Sequence, residues 1–461
     1  ESPALDALAA SLLKTAARNV ATTLSAPIQK KAEEVLRNQL LELKAQQVGA
    51  GAVLVLDNAS GAVLAYVANA GLVESARFVD AVRAPRQAGS TLKPFLYQLA
   101  FEQKYLTAAS VLEDTPVSFP TPSGLYVPQN YEKDFKGPVS ARVALAASLN
   151  VPAVRVLNLV GVENAWSRLR ALGFDMPEAP DFYGHALALG GADVSLWSLT
   201  NAYRTLARSG SMTPPSFAPG RAFEAVRVLE QDAAFITSDI LSDRSARSVT
   251  FGLENPLATS FWTAVKTGTS KDMRDNWCIG FSTRYTVGVW VGNLDGRPMH
   301  DVSGVSGAAP VWAAVMRELE GGQVRPEGSA PVAPLSLVRQ KVRFKGVGEP
   351  AREEWFMRGT EMDTAEYVPQ ALTRIVYPVS DTIIAIDPDI PWSRQRVRFR
   401  AEAGVDGLSW WLNGMRLAPA GDHDWSPLPG SHRLELRDTA GRVHAGVGFV
   451  VRGRMKPVSP P

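Results

Sequence analysis

A single cysteine, Cys278, stands in 461 residues, which excludes an intramolecular disulfide framework and any zinc site built on several thiolates. Histidine is scarce as well. The five are His185, His300, His423, His432 and His444; none is spaced from another as metal ligands are, so all read as structural or surface residues. No stretch offers the ~20 consecutive apolar residues that a membrane-spanning helix needs. An excess charge of one sign is lacking too: Lys plus Arg number 48 against 46 for Asp plus Glu. No strong field invites nucleic acid or an anionic membrane surface. The first residue, Glu1, is not an initiator Met, so the chain is read as a fragment or processed form with any signal or anchor upstream.

What is present describes a soluble globular chain, 46% hydrophobic and 20% charged, long enough for two or three domains. Ile28, Ala32, Val35, Leu36, Leu40 and Leu43 recur at helical spacing, which predicts an amphipathic helix over 28–43. Two apolar runs, 52–56 and 62–68, flank the turn cluster Asp57-Asn58-Ala59-Ser60-Gly61 and read as a hairpin. Residues 90 to 245 are mostly helical in pattern, and short β-rich runs return at 262–269, 276–282 and 285–291. Strands at both ends with helices between them predict an α+β fold: an antiparallel sheet flanked by helices, with a helical lobe. Pro326, Pro331 and Pro334 follow Gly321-Gly322 and read as a linker, and from about 372 short strands with turn signals predict a small all-β sandwich. The expected boundaries are a linker helix over 1–22, a main domain over 23–322, a linker over 323–371, a sandwich over 372–454 and a tail over 455–461.

Three short motifs carry the chemistry, in the order Ser90-Thr91-Leu92-Lys93, Ser148-Leu149-Asn150 and Lys266-Thr267-Gly268-Thr269-Ser270. The first alone means little, since Ser11-Leu12-Leu13-Lys14 repeats it by chance. Its context gives it weight. Ala88-Gly89 precedes Ser90 and an apolar-periodic run follows to Phe101, which sets Ser90 at a helix start with Lys93 on the same face. A neutral lysine there can take the proton of an otherwise weak serine nucleophile. Ser148 can relay a proton to a leaving amine, and Asn150 can fix either Lys93 or the substrate. Lys266 offers a positive charge for a terminal carboxylate, Thr267 a hydroxyl, and Gly268 a strand backbone open to close approach. A substrate peptide can pair along such an edge, with the Ser90 and Thr269 N–H groups as oxyanion donors.

These motifs resemble the transpeptidase domain of class A penicillin-binding proteins, and within them the 1C type. The likeness extends to Gln87 through Phe95, Asn130-Tyr131, Gly137 to Ser140, Ala146 to Ala153, Leu187 to Gly191, and Arg274-Asp275. It covers roughly residues 20–320, and the tail from 372 resembles the family's carboxy-terminal accessory domain. Thr23-Leu24-Ser25 stands where such chains commonly read Thr-x-Asp, and the glycosyltransferase domain usual upstream is not in these residues. The resemblance implies a D,D-transpeptidase with Ser90, Lys93, Ser148, Asn150 and Lys266 catalytic and Thr267, Gly268 and Thr269 binding substrate. It implies no metal or organic cofactor. Its partners would be peptidoglycan stem peptides and β-lactams, with room for cell-wall synthesis proteins on the carboxy-terminal domain and none for nucleic acid. The location implied is the periplasm, attached to the inner membrane through an upstream segment. A D,D-carboxypeptidase, a β-lactamase-like hydrolase and a non-catalytic β-lactam sensor or scaffold stand as alternatives; no Glu-x-x-Leu-Asn deacylation segment is present.

Two residues have bland readings. Cys278 alternates with Ile279 in an apolar strand and reads as a buried thiol, not a nucleophile. Trp410 shares strand parity with Leu408 and Leu412 and reads as core, leaving Trp411 for a second packing layer or an interface.

Overall fold

A computed structural model describes residues 21–70, 79–117, 119–121, 124–126, 128, 130, 134–321, 330–368, 374–387, 390–391, 394–402 and 407–453. The expected linker helix over 1–22, save its last two residues, and the tail over 455–461 lie outside them, as does Ser11. The chain divides into two compact units, Glu1–Tyr367 and Val368–Pro461. No helix of the described residues is long and apolar enough to cross a membrane.

In the first unit, helix α1 (Ala26–Glu42) leads into strands β1 (Ala50–Asp57) and β2 (Val63–Val67). Helices α2 (Lys93–Glu102), α3 (Ala141–Ala146), α4 (Asn150–Val160), α5 (Leu196–Ala207), α6 (Gln231–Ser242) and α7 (Arg244–Phe251) follow. Strands β3 (Ala264–Thr269), β4 (Asp275–Phe281) and β5 (Tyr285–Gly292) and helix α8 (Ala309–Leu319) come next. The strands form one sheet in the order β3-β4-β5-β1-β2, antiparallel throughout, with Ala50 opposite Gly292 and Lys266 opposite Ile279. Strand alternation sorts the central side chains to two faces. Val53 and Val55 pack with Leu36 and Leu40 of α1 and Trp312 of α8. Leu54 and Leu56 pack in a second core with Leu199 and Tyr203 of α5 and Phe95 of α2. Leu36 and Leu40, each fully buried, contribute about 1.5–3 kcal/mol apiece. Cys278 is buried in the first of these cores, where loss of solvent pushes its thiol well above the usual range.

The sheet is open where it matters for chemistry, because β3 is an edge strand with β4 on one side only. Against that edge lies the turn Gly89–Leu92 that begins α2. The approach is backbone to backbone: a Cβ on Gly268 would fall 2.8 Å from the Ala88 carbonyl oxygen, and one on Gly89, whose φ is +54°, 2.6 Å from that of Thr269.

The segment expected to be a linker contains three strands. β6 (Leu337–Lys345) pairs antiparallel with β7 (Arg352–Met357) and parallel with β8 (Thr364–Glu366). Leu337 joins the core that holds Phe95 and Tyr203, Val342 and Phe356 pack with Ala109, and Trp355 meets Phe235 of α6 edge to face. The 323–371 expectation is therefore corrected for 337–366, which folds as part of the first unit. The second unit is the expected all-β domain: three strands, Arg374–Tyr377, Val397–Glu402 and His423–Trp425, form one sheet, and five between Thr382 and Arg452 form another. Trp410 is fully buried there and donates its Nε1–H to Gly421 at 2.7 Å. Trp411 lies on the opposite parity beside the Arg437 guanidinium.

Candidate active site

A cavity of about 640 Å³ opens beside β3, and Ser90, Ser148, Asn150, Thr267, Gly268 and Thr269 all line it. Lys93 and Lys266 stand behind that lining, 0% and 2% exposed. All eight residues singled out in the sequence thus converge on one place. Among the described residues, no hydrogen bond joins Ser90 to Lys93. The lysine is turned instead toward the α3–α4 junction, where Nζ donates to the Ser148 carbonyl (2.6 Å), the Leu149 carbonyl (3.1 Å) and Asn150 Oδ1 (2.6 Å).

The junction has a local cause. Ser148 adopts φ +64°, a left-handed value rare for a residue with a Cβ and costing about 1–3 kcal/mol. Pro152, within the first turn of α4, tolerates the missing N–H there. The chain breaks between two helices, and carbonyls that a continuous helix would spend on its own ladder face Lys93. Asn130 braces the break by accepting from the Asn150 N–H at 2.8 Å, while its Nδ2 donates to both carboxylate oxygens of Asp114, at 2.9 and 2.8 Å. Asp114 is fully buried. Sequence reading missed this brace: its members lie 16 and 20 residues apart in chain order, and no periodicity links them.

Lys266 Nζ donates to Ser148 Oγ at 2.6 Å and to the Thr267 carbonyl at 3.0 Å. Ser148 therefore sits between the two lysines, its carbonyl on one and its hydroxyl on the other. Both amines lose proton affinity. Burial is the main cause for Lys93, helped by the neighbouring Lys266 charge and opposed by Asp114, and holds it well below the ordinary lysine value. Lys266 is pushed down to about 7 by burial first and by Arg247 second. Thr269 is used twice, since its Oγ1 accepts from the Gly304 N–H at 3.0 Å and so ties the 303–305 loop to the strand end. Gln87 joins the two walls by accepting from the Lys271 N–H and, through its carbonyl, from Trp277 Nε1.

With this arrangement on the page, the chain's relatives can be set beside it. Residues 51–317 match the family of the penicillin binding protein transpeptidase domain, and residues 361–449 match the penicillin-binding protein C-terminus family. The chain is similar to penicillin-binding protein 1C of Escherichia coli (strain K12), 34% identical over 306 residues, 65% of this chain and 38% of that protein. It is 32% identical to penicillin-binding protein 1A of Neisseria meningitidis (serogroup B, strain MC58), over 60% of this chain and 37% of that protein. It therefore spans less than two-fifths of the length of these relatives. Its fold is that of the solved penicillin-binding protein 1A from Haemophilus influenzae, with a TM-score of 0.64 at 20% identity, covering 75% of this chain and 73% of that one. It is also that of PonA1 from Mycobacterium tuberculosis, whose structure holds penicillin V, with a TM-score of 0.57 at 22% identity over 70% and 93% of the two chains.

Proposed function

The chain belongs to the penicillin binding protein transpeptidase family, and from that premise we propose that it is a peptidoglycan D,D-transpeptidase working through a Ser90 acyl-enzyme. The observation that carries the reading is the pair of buried amines joined through Ser148 behind Ser90 and an open strand edge. Lys93, which burial disposes to lose a proton, gives up one of its three donated bonds on doing so, and the free amine takes the Ser90 proton as the oxygen attacks the penultimate D-alanine carbonyl. The Ser90 and Thr269 N–H groups receive the oxyanion. Ser148, whose oxygen already accepts from Lys266, relays a proton: it hands its hydrogen to the departing D-alanine amine as it regains the one that Lys93 took from Ser90, and the relay runs backwards when the acceptor amine attacks. Lys266 and Thr267 hold the terminal carboxylate. An amine of a neighbouring stem peptide then attacks the acyl-enzyme and restores Ser90. A β-lactam offers the same amide in a ring and acylates the same hydroxyl. The reading places the protein in the periplasm on the inner membrane, with cell-wall synthesis proteins as partners of the carboxy-terminal domain.

The reaction is tested by incubating the chain with a stem-peptide donor and an amine acceptor and resolving the products by mass spectrometry. Cross-linked peptide supports transfer, hydrolysed peptide alone identifies a carboxypeptidase or β-lactamase-like enzyme, and a lasting acyl-enzyme with no product identifies a sensor or scaffold.

A further inference from the structure

We propose that Arg142, held by Glu354 of β7, is a positioning residue for the Ser148-Leu149-Asn150 motif, so that a strand some 200 residues away in sequence sets the geometry around Lys93. Arg142 lies at the start of α3, the short helix that ends just before Ser148. It is 5% exposed and Glu354 is 0% exposed. The Arg142 Nε donates to both Glu354 oxygens, at 2.9 and 3.0 Å, and an Nη adds a third bond at 2.6 Å. The same guanidinium reaches Asp239 of α6 at 2.6 Å and Asp243 at 3.2 Å. Asp243 in turn caps α7 by accepting from the Ala246 N–H, and α7 ends in Thr250 and Phe251, which line the cavity.

A second fork repeats the hold. Arg352 donates to Glu354 and Glu349, each at 2.7 Å, and to Ser140 Oγ at 2.9 Å. Glu349 also accepts from the Ser140 N–H at 2.6 Å, and Ser140 is the cap of α3. The first residues of α3 are thus fixed from two sides by directional, charge-assisted bonds. Six residues beyond Arg142, the chain turns at Ser148 and presents the carbonyls that hold Lys93. A buried ion pair of this kind adds little net stability over an apolar pair of similar volume, whereas loss of one partner strands a buried charge. What it uniquely supplies here is angle.

That distinction gives the test, which rests on the acyl-enzyme reading of Ser90. In the full chain, Arg142→Met, Glu354→Met and the double variant are compared for melting temperature and for penicillin acylation, the latter resolved into the pre-covalent dissociation constant and the acylation rate constant. Each single variant is expected to melt lower and to acylate at least tenfold more slowly. The double variant is expected to recover melting temperature but keep the slow acylation, with the dissociation constant within twofold of wild type. Arg352→Lys, which keeps charge but gives up the fork to Ser140, is expected to acylate more slowly with its melting temperature little changed. Acylation that recovers with melting temperature in the double variant would overturn the positioning role while leaving the acyl-enzyme intact. A wild-type chain that takes no label at Ser90 would overturn both.

Discussion

Lys93 and Arg142 are both buried in the first unit, yet their surroundings differ in one respect. Among the described residues, no carboxylate is in salt-bridge contact with Lys93; its acceptors are two carbonyls and an amide. Arg142 is shared among Glu354, Asp239 and Asp243. Burial alone drives a cation to give up its proton, and carboxylates in contact reverse that. Lys93 is accordingly pushed well below the lysine range, while Arg142 is held firmly charged, the attraction of its carboxylates outweighing burial. The proposed mechanism uses the buried amine without a carboxylate partner as a base, and the proposed positioning role uses the paired guanidinium as a joint. The residue types suit the roles, since a lysine can be neutral at working pH and an arginine cannot.

The sharpest way to break this contrast is to exchange the types. Lys93→Arg keeps a cation in the site but removes the base, so penicillin acylation of Ser90 is expected to fall by about 10³-fold or more at every accessible pH, with circular dichroism unchanged. Acylation at a near wild-type rate would mean another group takes the Ser90 proton. On the other side of the contrast, Glu354→Ala strands Arg142 without its main partner and is expected to destabilise the fold by about 3–5 kcal/mol in urea unfolding. A loss below about 1 kcal/mol would show that Asp239 and Asp243 suffice.

Lys266 is intermediate, and its pH behaviour sharpens the comparison. Its folded value of about 7 lies below the ordinary 10.5, so the unfolded chain binds more protons across that interval. Stability therefore rises as pH rises from about 7 toward 10, and falls back as pH drops toward 7, below which both states hold the proton. Lys266→Met is expected to flatten that rise in melting temperature. Function runs the other way: the free site loses its positive charge above pH 7, so binding of a carboxylate-terminated donor should weaken by up to about tenfold per pH unit, while a methyl-ester analogue shows no such trend. Lys266→Arg, charged throughout, should abolish that pH dependence at the cost of about tenfold weaker donor binding.

The legible parts of the molecule were those in which function and spacing coincide. Ser90 and Lys93 are one helical turn apart, and Lys266 to Thr269 fall in one short β-rich run, so local sequence carried them; that the run is an edge strand comes from the sheet order. The ion network was illegible for a physical reason. The strand β6 itself carried a signal that the linker expectation passed over: Val338, Gln340, Val342 and Phe344 alternate with the exposed Arg339, Lys341, Arg343 and Lys345, but the nearby prolines suggested a linker. Arg142 and Glu354 are 212 residues apart, and each alone looks like a solvated charge. Asp114 likewise looks like a solvated charge until packing buries it, and Asn130, marked only by the family likeness, gave no sign of pairing with it.

The first unit runs on to Tyr367, past the expected boundary at 322, and the smallest expected effect tests that edge. The second unit has its own core of Phe399, Trp410, Leu434, Leu436 and Phe449, and the described residues that line the cavity all belong to the first unit. A compact unit with its own core can be removed without unfolding its neighbour. A chain ending after Tyr367 retains Glu349, Arg352 and Glu354 and is expected to be acylated at Ser90 within twofold of the full-length rate, with a closely similar melting transition. A chain ending at Gly321 lacks all three and leaves Arg142 without Glu354, so its acylation should fall at least tenfold. If both shortened chains react equally well, β6 to β8 are dispensable to the site, and Asp239 and Asp243 alone orient α3.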